Sequence, residues 1–314
     1  MKRHRDLLDL LDSLEGQTCH DFEVILVIEK SHELFSKMEE SLGSKQFKSS
    51  KVIMNNDCRG LSNARNIGID HSGGAFIAFI DDDAVACSRW VELILDNFND
   101  ERICGVTGDV KPLWIGQDQR WFPSELNWLI SCSYTLTPTR RTEVDRGFGV
   151  NMAFRRTSVD AVGKFNTRLG ISEDRWLGGE DTDMFLRIKK GGDRVIFDPE
   201  ISVMHKVGPE RITYRNLVKR SIAGGVSVAL MRDMCGYTVN QSKESSYLRI
   251  LLTGFYPRTL WEMMHGERGS IRRITAVSMV IYAELLGFAI GMIERRKLPT
   301  FKSIKEKNSK RIDV

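Results

Sequence analysis

Residues 77–99 read IAFIDDDAVACSRWVELILDNFN. An apolar run from Ile77 to Ile80 ends in three carboxylates, Asp81, Asp82 and Asp83, and a helical apolar pattern resumes at Trp90. Adjacent carboxylates repel one another, and removing them from water is costly unless a positive charge sits among them. A divalent cation is the ordinary solution, so the tip of this run is a candidate metal site.

The flanking sequence says what kind of fold carries it. FEVILVI (22–28) is a continuous apolar run of buried-strand length, residues 32–42 read as a helix, and KVIMN (51–55) reads as a strand. RGLSNARNIGIDHSG (59–73) is a helix bounded by glycines, followed by the strand AFIAFI (75–80). Strands that are apolar throughout and alternate with helices predict an α/β fold, a mostly parallel sheet with helices on both faces. Ligands bind such sheets at the carboxyl ends of the strands, which is where Asp81–Asp83 fall.

Further along, residues 103–114 read as strand and turn. Residues 115–145, with Trp121, Pro123, Trp128, Tyr134 and Pro138, read as a long functional loop. A strand and helix are predicted over 147–165, a glycine-bracketed helix over 178–192, and two short strands around Asp198-Pro199 within 193–207.

The last third differs in character. ITAVSMVIYAELLGFAIGMI (274–293) is apolar except for Glu284, has Gly287 and Gly291 in GxxxG spacing, and is flanked by Arg and Lys. Twenty such residues suffice to cross a bilayer, and the glycines favour close helix contact; the other reading is a buried helix of a soluble core. The chain therefore divides into residues 1–235 and a helical region, 236–314, with a basic tail.

The chain has 314 residues, net charge +4, 41% hydrophobic and 28% charged residues, which is ordinary for a globular protein. Basic segments at 268–273, 295–297 and 302–311 suit an anionic partner or a solvated tail. The six cysteines form no CxxC pair and read as reduced thiols in a cytosolic setting. MKRHRDLLDLLDSLEGQT is an amphipathic helix, too poor in apolar residues for a signal peptide.

Three features converge on one chemistry: the acidic strand end, the run Glu180-Asp181-Thr182-Asp183 opening a helix after Gly178-Gly179, and His205 on a later strand. A helix N-terminus steadies a carboxylate, and a neutral imidazole can complete a metal site. With SNARNIGI (62–69), FIDDD (79–83) and GGEDTD (178–183) in this order, residues 1–235 resemble the family 2 glycosyltransferases of GT-A, Rossmann-like fold. RWFPSELNWLI (120–130), FGVNMAFRR (148–156) and MHKV (204–207) resemble archaeal enzymes, glucuronosyltransferases among them, that extend dolichyl-phosphate-linked glycans.

The resemblance implies the following roles. Glu29, Arg65, Asn66, Asp81 and Asp82 contact the nucleotide-sugar donor, with a UDP-sugar favoured. Asp83 and His205 hold Mg²⁺ or Mn²⁺, and Asp181 is the catalytic base. Glu180 and Asp183 are secondary candidates, Asp183 reading equally as an exposed helix acid. The reaction is then an inverting transfer to a hydroxyl of a dolichyl- or polyprenyl-phosphate-linked acceptor, at the inner face of the cell membrane, with no nucleic-acid role.

Two other motifs compete and are set aside. QDQRW (117–121) spells a processive-synthase signature but precedes Asp181 instead of following it, and DDDAV (81–85) as a phosphatase motif leaves GGEDTD and SNARN unexplained. One departure from the family matters. Its members begin with a strand like VSVVIPTYNR, central in a sheet of order 3-2-1-4, and no such strand stands before the first helix here. Either a natural start lies upstream of Met1, or the chain is a non-catalytic scaffold of a glycosylation complex.

Overall fold

The computed structural model describes residues 2–56, 60–116, 119, 121–171, 176–234 and 241–295. The first part contains α1 (Lys2–Glu15), β1 (Glu23–Glu29), α2 (His32–Gly43), β2 (Ser49–Asn55), α3 (Leu61–His71), β3 (Phe76–Ile80), β4 (Ala84–Ala86) and α4 (Trp90–Asn97). Then come β5 (Ile103–Trp114), a 3-10 helix (Ser124–Ile130), β6 (Thr142–Glu143), β7 (Asn151–Arg155) and α5 (Arg156–Val162). These are followed by β8 (Gly170–Ile171), β9 (Trp176–Leu177), α6 (Glu180–Lys190), β10 (Arg194–Val207), and a 3-10 turn (Pro209–Ile212). The C-terminal helices are α7 (Tyr214–Met234), α8 (Gln241–Ile250), a π-helical stretch (Leu251–Phe255), α9 (Tyr256–Met264) and α10 (Ser270–Arg295).

The fold is α/β, but its sheet is mixed where a mostly parallel one was expected. The main sheet runs β3-β7-β5-β10-β4, with β6 on β10. Only β5–β10 is parallel within it; β7 and β4 run against their neighbours. Apolar strand composition reports burial on both faces and carries no information about direction, so the error is one of principle. β1 and β2 pair in parallel as a separate sheet, and among the described residues no backbone pairing joins it to β3.

Side chains close that gap. Leu7, Leu10, Leu11 and Leu14 of α1 lie in one buried cluster with Val24, Leu26 and Ile28 of β1 and Ala84, Ala86 and Trp90 of the main sheet's flank. Each buried leucine contributes about 1.5–3 kcal/mol over an exposed one, so α1 is the chief apolar link between the sheets.

β10 is one strand instead of the two expected around Pro199. Its register against β5 jumps between Asp198 and Ser202, and the bulge absorbs the proline that could not donate to a ladder. Asn151, fully buried, repairs the break: its Nδ2 donates to the carbonyls of Asp109 (3.1 Å) and Ile201 (2.9 Å), while Oδ1 accepts from Trp90 Nε1 (2.9 Å). Residues 115–145 are likewise more than a loop. Trp121, Phe122, Leu126, Leu129, Ile130 and Cys132 are buried, most of them on or beside the 3-10 helix.

α10 is long and apolar enough to cross a membrane, though about 33% of its apolar window is buried against the protein. The buried part faces α7. A Cβ on Gly287 would meet the Ile222 carbonyl, one on Gly225 the Glu284 carbonyl, and one on Gly291 the Ala229 side chain. The GxxxG spacing thus brings two backbones together, the use expected of small residues. Leu248, Leu252, Leu260, Trp261, Met264, Tyr282, Leu285 and Leu286 remain exposed on the C-terminal helices.

Candidate active site

β3 ends at Ile80, and the turn into β4 carries Asp81, Asp82 and Asp83. β4 pairs antiparallel with β10 so that His205 lies opposite Ala84, which brings the imidazole beside Asp83. One ligand atom from each of Asp81, Asp83 and His205 lies within 4.8 Å of the others. His205 Nε2 is 3.0 Å from Asp83 Oδ1, and the imidazole is 1% exposed. Its Nδ1 lies 2.9 Å from the Ile130 carbonyl. With Nδ1 engaged by that carbonyl, Nε2 is the ring nitrogen that faces the cluster and the one that would ligate a metal.

A cation already tests the fit. The Arg211 guanidinium bridges Asp83 Oδ2 and His205 Nε2, the latter at 3.1 Å. Two carboxylates and an imidazole that converge on positive charge form a hard-oxygen and nitrogen donor set suited to Mg²⁺ or Mn²⁺. Burial pushes the Asp83 carboxyl up, but the hydrogen bond and charge of His205 and the charge of Arg211 outweigh it and hold Asp83 below its ordinary value. Asp81 goes the other way: burial raises it, against the pull of Arg65, with Asp83 and Asp82 adding to the rise. A bound cation would relieve that repulsion. Asp82 stands outside the cluster and pairs with Arg3 of α1 at 2.6 Å.

Arg65 of α3 joins this cluster to the acidic helix start. Its buried guanidinium donates to Glu180 Oε1 (2.8 Å) and the Gly149 carbonyl (2.9 Å), and lies 3.5 Å from Asp81 Oδ1. Gly149 returns the link, its N–H donating to Asp181 Oδ2 at 3.0 Å. A Cβ there would press on both Arg65 and Asp181, so glycine is what lets backbone reach between them. Asp181 Oδ1 accepts the Thr182 N–H at 2.7 Å. Two backbone amides and the N-terminus of α6 therefore hold this carboxylate in place while each oxygen keeps a lone pair.

The remaining candidates have defined partners. Glu29 accepts the Gly60 N–H at 2.8 Å and faces Asn55. Asn66 is engaged at both ends of its amide with the Phe165 backbone, each at 2.9 Å. Asp183 is buried, contrary to the exposed helix acid considered for it, and pairs with Arg187 at 2.9 Å. Arg211, Gly149, Ile130 and Ser131 were not singled out from sequence. Arg211 lies six positions past His205 with Gly208-Pro209 between, and no spacing rule marks it. Gln117, Asp118 and Arg120 of QDQRW lie outside the described residues.

Glu180 is pushed up to about 7, by burial first and the Asp181 charge next, against the pull of Arg65. Its proton is therefore held by the folded form at pH values where the unfolded chain has lost it. Stability from this group is full below the usual 4.5 and is lost as pH rises through about 7. Melting temperatures taken from pH 5.5 to 8 should fall more steeply for the wild type than for Glu180→Gln, and equal slopes would refute the assignment.

The sequence profile of glycosyl transferase family 2 matches residues 3–163. Over 298 residues, 93% of each chain, the protein is 26% identical to the glucosyl-dolichyl phosphate glucuronosyltransferase of Haloferax volcanii. It is 30% identical over 168 residues to the succinoglycan biosynthesis protein ExoM of Rhizobium meliloti, covering 52% of this chain and 50% of that one. Among solved structures it resembles the mannosyltransferase PcManGT from Pyrobaculum calidifontis in complex with GDP-Man and Mn²⁺, with TM-score 0.59 and 16% identity, covering 92% of this chain and 84% of that one. GalNAc-T7 with UDP, GalNAc and Mn²⁺ superposes with TM-score 0.50 and 16% identity, over 82% of this chain and 54% of that one. Those two likenesses establish the GT-A fold, and the profile, which spans half of the chain, establishes the lineage: the chain belongs to glycosyl transferase family 2 and is a glycosyltransferase.

Proposed function

We propose that the protein transfers a sugar from a nucleotide-sugar donor, a UDP-sugar by preference, to a hydroxyl of a dolichyl- or polyprenyl-phosphate-linked glycan, with inversion. The observation that carries this reading is the linkage: Asp81, clustered with Asp83 and His205, meets Arg65, which meets Gly149, whose N–H holds Asp181. Asp83, His205 and Asp81 would hold Mg²⁺ or Mn²⁺, which supplies positive charge to the departing nucleoside diphosphate.

The chain's own residues do the rest. Asp181, oriented by the Gly149 and Thr182 amides, takes the proton of the acceptor hydroxyl as its oxygen bonds to the anomeric carbon. The bond from that carbon to the diphosphate breaks in the same step. One base with no intervening nucleophile gives inversion. Glu29 and Arg65 are read as donor contacts. Asn66, its amide spent on Phe165, positions the helix that carries Arg65.

A lipid-linked acceptor is supported by the full-length similarity to an enzyme named for a dolichyl phosphate substrate. The exposed apolar side chains on α8–α10 point the same way. We read residues 1–235 as the transferase unit and 236–314 as its membrane-facing helical region, at the inner face of the membrane. The test is to incubate the protein with Mn²⁺, a panel of UDP-sugars and phytanyl phosphoglucose, and to assign the new anomeric centre by NMR. Extended glycolipid with inverted configuration is expected. Retention, or UDP release without glycolipid, would refute it.

A further inference from the structure

Arg220 of α7 is a cation with no carboxylate bound directly to it among the described residues, and its hydrogen-bond partner is the Ser131 hydroxyl at 3.4 Å. Burial and the charge of nearby Arg211 pull the guanidinium down to about 10, against the opposing charge of Asp83. A half-buried guanidinium whose one direct contact is neutral and long has donors left for an anion.

The surroundings indicate which anion. Ser131 is the left-handed cap of the 3-10 helix, with φ of 59° and its N–H on the Asn127 and Trp128 carbonyls, which fixes its hydroxyl beside Arg220. The same three-residue segment supports the metal cluster: the Ile130 carbonyl holds His205 Nδ1, and Cys132 Sγ lies 3.7 Å from that nitrogen. Arg220 thus stands beside the cluster, on a different element from Arg211. Further along, α7 reaches the other half of the site. Ser227 Oγ accepts the Gly178 N–H at 2.9 Å, and Met231 packs against Gly179, just ahead of Asp181. α7 therefore runs from beside the proposed metal ligands to the loop just ahead of the proposed base. The same helix is in backbone contact with α10 through Gly225.

The donor's diphosphate already has the metal ligands and Arg211 to meet it. We infer that Arg220 and Ser131 form a separate subsite for the acceptor, binding the single negative charge of the phosphodiester that joins its sugar to its lipid. This rests on the reading of the acceptor as a lipid-phosphate sugar. It adds a specificity-determining residue that discriminates such acceptors from neutral glycosides.

Binding measurements on the full chain test it without requiring turnover. Fluorescently labelled phytanyl phosphoglucose and octyl glucoside would be titrated in the presence of UDP and Mn²⁺, and UDP with Mn²⁺ titrated alone by calorimetry. Arg220→Met should weaken phytanyl phosphoglucose by roughly tenfold or more, the scale of one charge-assisted hydrogen bond. Octyl glucoside and UDP–Mn²⁺ binding should be unchanged, and Arg220→Lys should recover part of the loss. Melting curves of both variants exclude misfolding.

The inference is overturned if Arg220→Met leaves phytanyl phosphoglucose binding intact, or if UDP–Mn²⁺ binding falls instead. It is overturned equally if the wild type does not bind this probe, or if phosphatidylglycerol vesicles displace it as well as the unlabelled compound does. Should the wild type bind it but transfer no sugar to it, the proposed function fails while the subsite stands.

Discussion

Asp83→Ala is expected to abolish Mn²⁺-dependent binding of UDP and to lower transfer by roughly 10³-fold, since metal charge stabilisation supplies several kcal/mol and each 1.36 kcal/mol is tenfold. Among the three clustered ligands Asp83 is the one held in two directions, by His205 Nε2 at one oxygen and Arg211 at the other. Those two partners keep it ionised in spite of burial. Removing it leaves a buried imidazole and a guanidinium facing each other with no anion between them. A loss of about 1–3 kcal/mol in stability should accompany the loss of metal. Asp83→Asn separates the two effects, because the amide fills the same space while giving up the charge. Calorimetry of UDP with and without Mn²⁺ on wild type and both variants decides the matter. Wild-type affinity in Asp83→Ala would remove Asp83 from the metal site.

The second large effect is expected at Asp181. Asp181→Asn should reduce kcat by about 10²–10⁴-fold, the usual contribution of a positioned base, with UDP–Mn²⁺ affinity unchanged. The amide oxygen can still accept from the Gly149 N–H that now meets Oδ2 at 3.0 Å, so the Arg65–Gly149 linkage survives. What disappears is the ability to take a proton. Its neighbour Glu180 cannot substitute, since that carboxylate is buried and committed to Arg65 at 2.8 Å. Single-turnover measurements at saturating donor would expose the defect directly. Wild-type kcat in the variant would end the assignment of Asp181 as base.

Much of this site can be read from the chain because its parts are local. Asp81–Asp83 interrupt an apolar run, and a charge triplet at a strand end is visible to any pattern argument. The glycine pair ahead of Glu180 likewise announces a helix start, and the structure begins α6 at that residue. His205 was a candidate on residue type and order alone; the β4–β10 register that delivers it to Asp83 is a long-range pairing that no window of sequence contains.

The same limitation explains the misreadings. β7 is apolar whichever way it runs, so its antiparallel pairing with β3 and β5 left no trace in composition. The bulge at Pro199 looked like a chain break because its remedy, the Asn151 amide, comes from a strand about 50 residues earlier. Arg211 and Arg220 are ordinary basic residues until α7 and the Ile130–Cys132 segment fold around them.

The split between the β1–β2 sheet and the main sheet has a consequence for what ligand binding does to stability. Where strands share a ladder, opening one exposes its neighbours, and they unfold together. Here no ladder among the described residues joins β1 to the main sheet, and the α1 leucines pack with both. The two sheets therefore share a buried core but no ladder among the described residues. Glu29, the last residue of β1, and Gly60 are bonded at the end of the smaller sheet. If the donor contacts Glu29 as proposed, its binding would act as a staple, coupling occupancy to the integrity of that sheet.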